Sequence, residues 1–336
     1  VLAVRDLAVS FPTDDGVVNA VRGLSFDVYP ARVLAMVGES GCGKSVTALA
    51  LLGLLPATAE VSGSATFEGT ELLGLDPRQL RALRGNRLAM VFQDPMTSLN
   101  PVHRVGDQIA EAVRAHHPRL GRAEARARAV AMLGTVGIPE PELRATMFPH
   151  EFSGGMRQRA MIALAMVNSP SVLIADEPTT ALDVTVQAQV LEALQAARRS
   201  TGAAMLLITH DLGVVAGVAD DVLVMYAGRA VETGTVEQVF YQPRMPYTLG
   251  LLGSLPRVDA DDQPLTPIPG APPSTLGTRG GCPFAPRCPL ALDRCRAEEP
   301  PLDDYGQGHR AACWRAQELG PGTDPAEVFA AWRRTR

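Results

Sequence analysis

Apolar and polar residues alternate along two N-terminal stretches, Leu2–Phe11 (LAVRDLAVSF) and Asn19–Val28 (NAVRGLSFDV). The spacing predicts two antiparallel strands joined by a turn around Pro12–Gly16. The next apolar runs are continuous. Arg32–Val37 (RVLAMV) predicts a short buried strand, and Val46–Leu55 (VTALALLGLL) predicts a helix that Pro56 ends. Ser62–Glu68 and Arg87–Phe92 read as further strands. From Asp94 to about Glu151 the pattern changes. Val105–His116 and Ala123–Val136 carry Ala, Arg, Glu and Leu at helical spacing, and Pro101, Pro118, Pro139, Pro141 and Pro149 punctuate them. A helical insertion is expected here, with Arg114, Arg119, Arg122, Arg126 and Arg128 on a solvated face. Beyond it come an apolar helix at Ala160–Val167, a buried strand at Ser171–Ala175, a helix to about Arg199 and a buried strand at Ala203–Ile208. A hairpin of Val222–Tyr226 and Arg229–Glu232 follows, turning at Ala227-Gly228. The succession predicts an α/β core with an antiparallel β edge and a helical insertion.

The stretch Gly38–Ser45, GESGCGKS, lies between a predicted strand and a predicted helix. It fits the phosphate-loop template with no mismatch. Glycines let backbone N–H groups curl around an anion, and the helix start adds partial positive charge. The loop residues Gly38, Glu39, Ser40, Gly41, Cys42, Gly43, Lys44, Ser45 and the following Val46 are therefore expected to bind nucleotide. Lys44 is expected to reach the β- and γ-phosphates, and the Ser45 hydroxyl to ligate Mg²⁺. Cys42 reads as a small filler.

Three strand ends carry matching polar chemistry. Gln93 follows Arg87–Phe92, where its amide can contact Mg²⁺ and water. Asp176-Glu177 follows Ser171–Ala175: Asp176 suits Mg²⁺, and Glu177 suits an attacking water. His210 follows Ala203–Ile208 and suits the γ-phosphate. Ser153, Gly154 and Gly155 precede an apolar helix and form a second candidate anion site, serving another ligand or the nucleotide of another subunit. Phe11 reads either as a core or edge ring or as a platform for a nucleobase.

Composition narrows the classes. The 336 residues suffice for two domains or so. A net charge of −5 argues against a dominant nucleic-acid or anionic-membrane surface, and nucleic acid is not expected as a partner. No uncharged apolar run reaches the ~18–20 residues of a membrane helix. No secretory signal is read at the start. Because the chain begins at Val1 rather than Met, a few preceding residues are expected.

Together GESGCGKS at 38–45, Gln93, FSGGMRQ at 152–158, VLIADE at 172–177, TALD at 180–183 and His210 resemble the nucleotide-binding subunit of an ABC transporter, over residues 2–240. The resemblance implies two such subunits packed head to tail, each ATP lying between one subunit's phosphate loop and the other's signature stretch. Ser153–Gly155 would then serve the partner's ATP, Asp183 the dimer contact, and Phe11 the adenine. Lys44, Gln93, Glu177 and His210 form the implied catalytic set. The chain departs from the commonest signature in having Phe152 and Met156, neither of which supplies the serine hydroxyl or the glycine N–H groups.

FQDPMTSLNPV at 92–102, FPHEFSGGM at 148–156, RMPYTLGLLGSLP at 244–256 and the segment 269–314 resemble the ATPase subunits of bacterial dipeptide and oligopeptide importers. Nickel and glutathione systems share the pattern. The implied partners are a second, homologous ATPase in a heterodimer, two membrane permease subunits docked on the helical insertion, and an extracytoplasmic solute-binding protein. The implied location is the cytoplasmic face of the membrane. The expected domains are a nucleotide-binding domain over 1–245, with a helical subdomain at 94–160, and a cysteine-rich extension over 246–336. A soluble ABC ATPase of DNA repair or translation, and a non-catalytic regulatory subunit, are the competing classes.

Cys282, Cys288, Cys295 and Cys313 cluster in that extension. Clustered cysteines in a cytosolic protein suit metal, and thiolates suit zinc or iron–sulfur. The tail lacks the short Cys–Cys spacing usual at zinc sites. The importer resemblance implies a 4Fe-4S cluster on the four thiolates, with Zn²⁺ or reduced structural cysteines as the alternatives.

Overall fold

The computed structural model describes residues 1–94, 98–180, 182–255, 266–273 and 280–334. Residues 95–97 of the FQDPMTSLNPV stretch, Ala181 of TALD, Pro256 and Ser274 lie outside the described residues. The chain divides into two compact units, one of residues 1–2, 27–32 and 66–208, the other of residues 3–26, 33–65 and 209–336.

In the first unit, three strands run parallel: Leu88–Val91 beside Val172–Asp176, and Val172–Asp176 beside Ala204–Thr209. Leu88 pairs with Val172, and Asp176 pairs with Ile208. Every residue of Val172–Asp176 is buried, as expected of a strand covered on both faces. The helical insertion holds Val105–His116, as its spacing predicts, and Arg122–Thr135, which pack on each other. Each turns a stripe inward, Val105, Ile109 and Val113 from one and Ala125, Ala129 and Leu133 from the other. A third helix, Gly154–Met166, packs on Val184–Thr201. It starts at Gly154 rather than Ala160, because the Ser153 hydroxyl accepts from the Met156 N–H at 3.3 Å and caps it there.

The second unit is built on two sheets. One contains Leu2–Thr13 next to Gly16–Val28, joined by a tight turn at Asp14-Asp15, with Glu60–Phe67 on the other side of Leu2–Thr13. The alternation read from the sequence is visible in burial: Leu2, Val4, Leu7 and Val9 are buried. In the other sheet Val33–Val37 lies parallel to Asp221–Tyr226, which pairs antiparallel with Arg229–Thr235. The short strand Arg310–Ala311 extends that edge. The helix after Val33–Val37 spans Lys44–Leu51, two residues earlier at its start than the apolar run suggests and shorter at its end. A shared core joins strand residues Ala35, Val37, Val224 and Tyr226 to Tyr247, Phe284 and Phe329 from the C-terminal third.

One buried charge ties this unit together. Glu232 is 0% exposed. Its carboxylate accepts from the N–H groups of Arg244 at 2.7 Å and Met245 at 3.1 Å, and lies 2.8 Å from Nε2 of His309. Glu232→Leu leaves those donors buried without an acceptor, and a loss of about 3–5 kcal/mol is expected. Urea unfolding followed by circular dichroism checks this through a lower midpoint with unchanged slope.

Candidate functional site

The loop 38–45 connects the Val33–Val37 strand to the Lys44–Leu51 helix. Gly38 has φ +153° and Gly43 φ +104°. A Cβ on Gly38 would lie 2.3 Å from the Met225 carbonyl oxygen, and one on Gly43 would lie 2.3 Å from that of Ala20. Both positions therefore require glycine, for conformation and for room. Gly43 is the N-cap, and no side chain caps the helix start, where an anion gains the partial positive charge. Lys44 is buried, and its ammonium donates to the carbonyls of Gly38 at 2.8 Å and Glu39 at 3.1 Å. Cys42 is buried beside it, and burial lifts its thiol pKa. It stays protonated and fills space, as its size suggests. These features fit a nucleotide phosphate chain: a Cβ-free cradle, an uncapped helix start and a buried ammonium.

In the first unit, Gln93 and Glu177 meet. The Gln93 amide donates to Glu177 Oε2 at 3.1 Å, and the Thr180 hydroxyl donates to the same oxygen at 2.8 Å. Asp176 is buried at the end of its strand. Glu177 itself has φ +47°, a left-handed backbone that a side-chain-bearing residue adopts under strain. Its N–H donates to the Ile208 carbonyl at 2.8 Å, which pins the strained residue to the neighbouring strand. The buried Gln158 amide donates to the Pro178 carbonyl at 2.7 Å and braces the turn from the signature helix. Thr180 and Gln158 stand inside the motifs TALD and FSGGMRQ, and only the motif boundaries could have pointed to them.

Ser153 and Gly154 are exposed at the start of their helix, while Gly155 is buried. A Cβ on Gly155 would lie 2.5 Å from Val186 Cγ1, so this glycine serves packing, whereas Gly154 faces open space. Phe152 is buried. Asp183 caps the helix Val184–Thr201 through the Val186 N–H at 3.0 Å, beside an exposed Val184. In the second unit, His210 is exposed after its strand, and Asp211 caps the next helix through Gly213 and Val214. Phe11 is half-buried near the end of Leu2–Thr13.

Comparison with known proteins matches the chain in two stretches. A model of the family described as ABC transporter matches residues 21–180, and one described as oligopeptide/dipeptide transporter, C-terminal region, matches 231–295. The oligopeptide transport ATP-binding protein OppD of Escherichia coli is 52% identical over 94% of this chain and 94% of its own length. The chain belongs to the family of oligopeptide and dipeptide transport ATP-binding proteins. Within that family, the dipeptide transport protein DppD of Bacillus subtilis is 51% identical over 94% of both chains. OppD of Mycobacterium tuberculosis is 58% identical over 98% of this chain but only 54% of its own length, so this chain spans about half of that relative. Among solved structures, the ATP-binding cassette MJ0796 gives a TM-score of 0.63 at 22% identity, over 70% of this chain and 99% of that one, and bears on the fold alone. The protein cbiO1 of Clostridium perfringens gives 0.60 at 29% identity, over 71% and 90%.

For this family member the expected cluster on Cys282, Cys288, Cys295 and Cys313 is overturned, and zinc with it. Among the described residues, no group of three or more His, Cys, Asp or Glu side chains is placed to hold a metal ion. The physical reason lies in the surroundings of the thiols. Cys282, Cys288 and Cys313 pack against the apolar core that contains Tyr226, Tyr247 and Phe284. Burial pushes Cys282 up to about 11 and Cys288 and Cys313 up to about 12, which disfavours the thiolate form. Cys295 is buried, and its sulfur accepts from the Leu292 N–H at 3.4 Å. The sulfurs act as small apolar fillers.

Gly43→Ala tests the cradle. Strain of about 1–3 kcal/mol, with the contact to Ala20 added, predicts at least a tenfold or so weaker affinity for MgATP. Titration of the full chain with a fluorescent ATP analogue measures it, with the thermal midpoint followed in parallel.

Proposed function

We propose that the chain is the ATP-hydrolysing subunit of an ABC importer for di- or oligopeptides. The observation that carries the hydrolytic part is the triad beyond the ends of two neighbouring strands: Glu177 held at one oxygen by Gln93 and Thr180. A carboxylate fixed in this way can orient an attacking water or accept its proton. Lys44 and the loop amides hold the phosphates. Ser45, Gln93 and Asp176 hold Mg²⁺, which neutralises phosphate charge when bound. His210 contacts the γ-phosphate, and Phe11 stacks the adenine. Catalysis of this kind rests on positioning and electrostatics.

The exposed Ser153-Gly154 helix start and the exposed Asp183-Val184 corner support a second ATPase subunit packed head to tail, with the signature stretch serving the partner's nucleotide. A related but distinct partner makes the pair a heterodimer. None of the described helices is long and apolar enough to cross a membrane. Docking on two permease subunits at the cytoplasmic face therefore falls to the helical subdomain at 94–160, and solute reaches them from an extracytoplasmic binding protein. Residues 1–245 form the nucleotide-binding domain and 246–336 its C-terminal extension. The names of the relatives support peptide as the solute.

Glu177→Gln keeps the shape and the Gln93 contact but removes the base. In the assembled transporter, ATP turnover is expected to fall by about a hundredfold or more while nucleotide affinity is retained. Steady-state phosphate release and nucleotide titration check the two quantities. Unchanged turnover would assign the chain a non-catalytic, regulatory place in the complex.

A further inference from the structure

Glu39 is an acid inside a loop built for an anion. Its carboxylate does not stand alone: Arg287, 248 positions further along the chain, grips it with both ends of its fork. Nη1 donates to Oε2 at 2.6 Å, and Nη2 donates to Oε1 at 2.8 Å. The guanidinium is itself fixed. Its Nε donates to the Pro269 carbonyl at 2.8 Å, and Nη1 also donates to the Tyr226 hydroxyl at 3.2 Å. The Arg287 side chain is 7% exposed and that of Glu39 24%. The backbone of Glu39 is held as well. Its N–H donates to the Tyr247 hydroxyl at 2.8 Å, and its carbonyl accepts from Lys44 at 3.1 Å. The rings of Tyr226, Tyr247 and Phe284 pack at tilted and edge-on angles behind these contacts, with centroids 4.5–5.4 Å apart.

From this arrangement we infer that Arg287 is a positioning residue for nucleotide binding: it neutralises Glu39 and fixes the second residue of the phosphate loop, so that the C-terminal region sets the affinity of the loop for ATP. An ATP molecule brings several negative charges to the loop. An unpaired carboxylate within the loop opposes them through a partly buried medium, where charge is poorly screened. A bidentate, nearly buried guanidinium cancels that opposition and leaves Lys44 as the uncompensated charge toward phosphate. Tyr247 restrains the same residue from the backbone side. The loop thus depends on two side chains from beyond position 245 that no phosphate-loop template contains.

The inference rests on the reading of residues 38–45 as the phosphate loop, and the experiment separates the two. The full chain is titrated with MgATP as wild type, Lys44→Ala, Arg287→Met, Glu39→Gln and the double variant E39Q/R287M, with kcat and KM taken in the assembled transporter. Arg287→Met is expected to weaken ATP binding by about tenfold and raise KM alike, with kcat within about twofold, because a carboxylate is left unpaired beside the phosphates. Glu39→Gln and the double variant are expected to bind ATP within about threefold of each other and both more tightly than Arg287→Met, since removing the acid removes the need for its partner. A merely structural role for Arg287 would leave the double variant as weak as Arg287→Met, and that result overturns the inference. So does wild-type affinity in Arg287→Met when Lys44→Ala has lost binding. Wild-type affinity in Lys44→Ala would instead bring down the phosphate-loop reading itself. If Arg287→Met does not fold, the comparison of E39Q/R287M with Glu39→Gln decides: equal affinities support neutralisation, and a tenfold gap overturns it.

Discussion

The loop 38–45 takes its shape only because two of its residues carry no side chain. Gly38 and Gly43 sit in backbone conformations that L side chains avoid, and each abuts a carbonyl oxygen, of Met225 and of Ala20. Those carbonyls belong to sheet strands, Asp221–Tyr226 and Gly16–Val28. The loop is therefore moulded on two sheets at once, and its shape is a property of the whole second unit rather than of eight residues. Sheet backbone yields little, because its own hydrogen bonds are committed to the ladder. This explains how a glycine-rich segment, with the most conformational freedom to lose, is held in one form.

Strain plays the complementary part at Glu177. The left-handed backbone there turns the chain sharply at the end of a fully buried strand, and the Ile208 carbonyl holds the turn. The carboxylate is then aimed by Gln93 and Thr180 instead of by its own rotamer preference. A site built on the ends of parallel strands gains rigidity from the sheet and variability from the turns that follow. The unfavourable conformation persists because the strand pairing of Asp176 with Ile208 and the Gln158 brace leave the turn no alternative.

Much of this is legible in the sequence. The strand Val33–Val37 and residues 172–175 of Val172–Asp176 are continuous apolar runs, and buried strands leave that trace. The spacing of Val105–His116 marks its helix to the residue. The glycines of 38–45 and the acidic pair 176–177 are readable because the nucleotide-binding template sets residue type at fixed offsets. Helix starts are less legible. Lys44–Leu51 and Gly154–Met166 begin among glycines and polar residues, so hydrophobic periodicity cannot mark their first turn, and the cap at Ser153 is the better signal. The contacts of Thr180, Gln158 and Arg287 are not legible in the sequence, because their partners lie 3 to 248 residues away. The four clustered cysteines mislead for the opposite reason. Their residue type is conspicuous, but spacing does not report whether a thiol faces ligand or core.

That core answers what the C-terminal segment is for in physical terms. Among the described residues, those between 280 and 318 form only short elements, including a three-residue turn at Ala285–Arg287 and a five-residue helix at Asp293–Ala297. Such short pieces cannot bury an apolar face among themselves. They borrow the interior of the second unit instead, placing Phe284 against Tyr226 and Tyr247 and sealing the gaps with sulfur. Arg22 and Arg229 both pair with Glu299 and fasten the rim of the same region. A segment anchored in this way has its position dictated by the nucleotide-binding sheet, and by the same contacts it constrains that sheet in return. Arg287 projects from the middle of this packing. Its reach to Glu39 is thus a consequence of how the tail becomes ordered: the residues that bury the tail are those that back the phosphate loop.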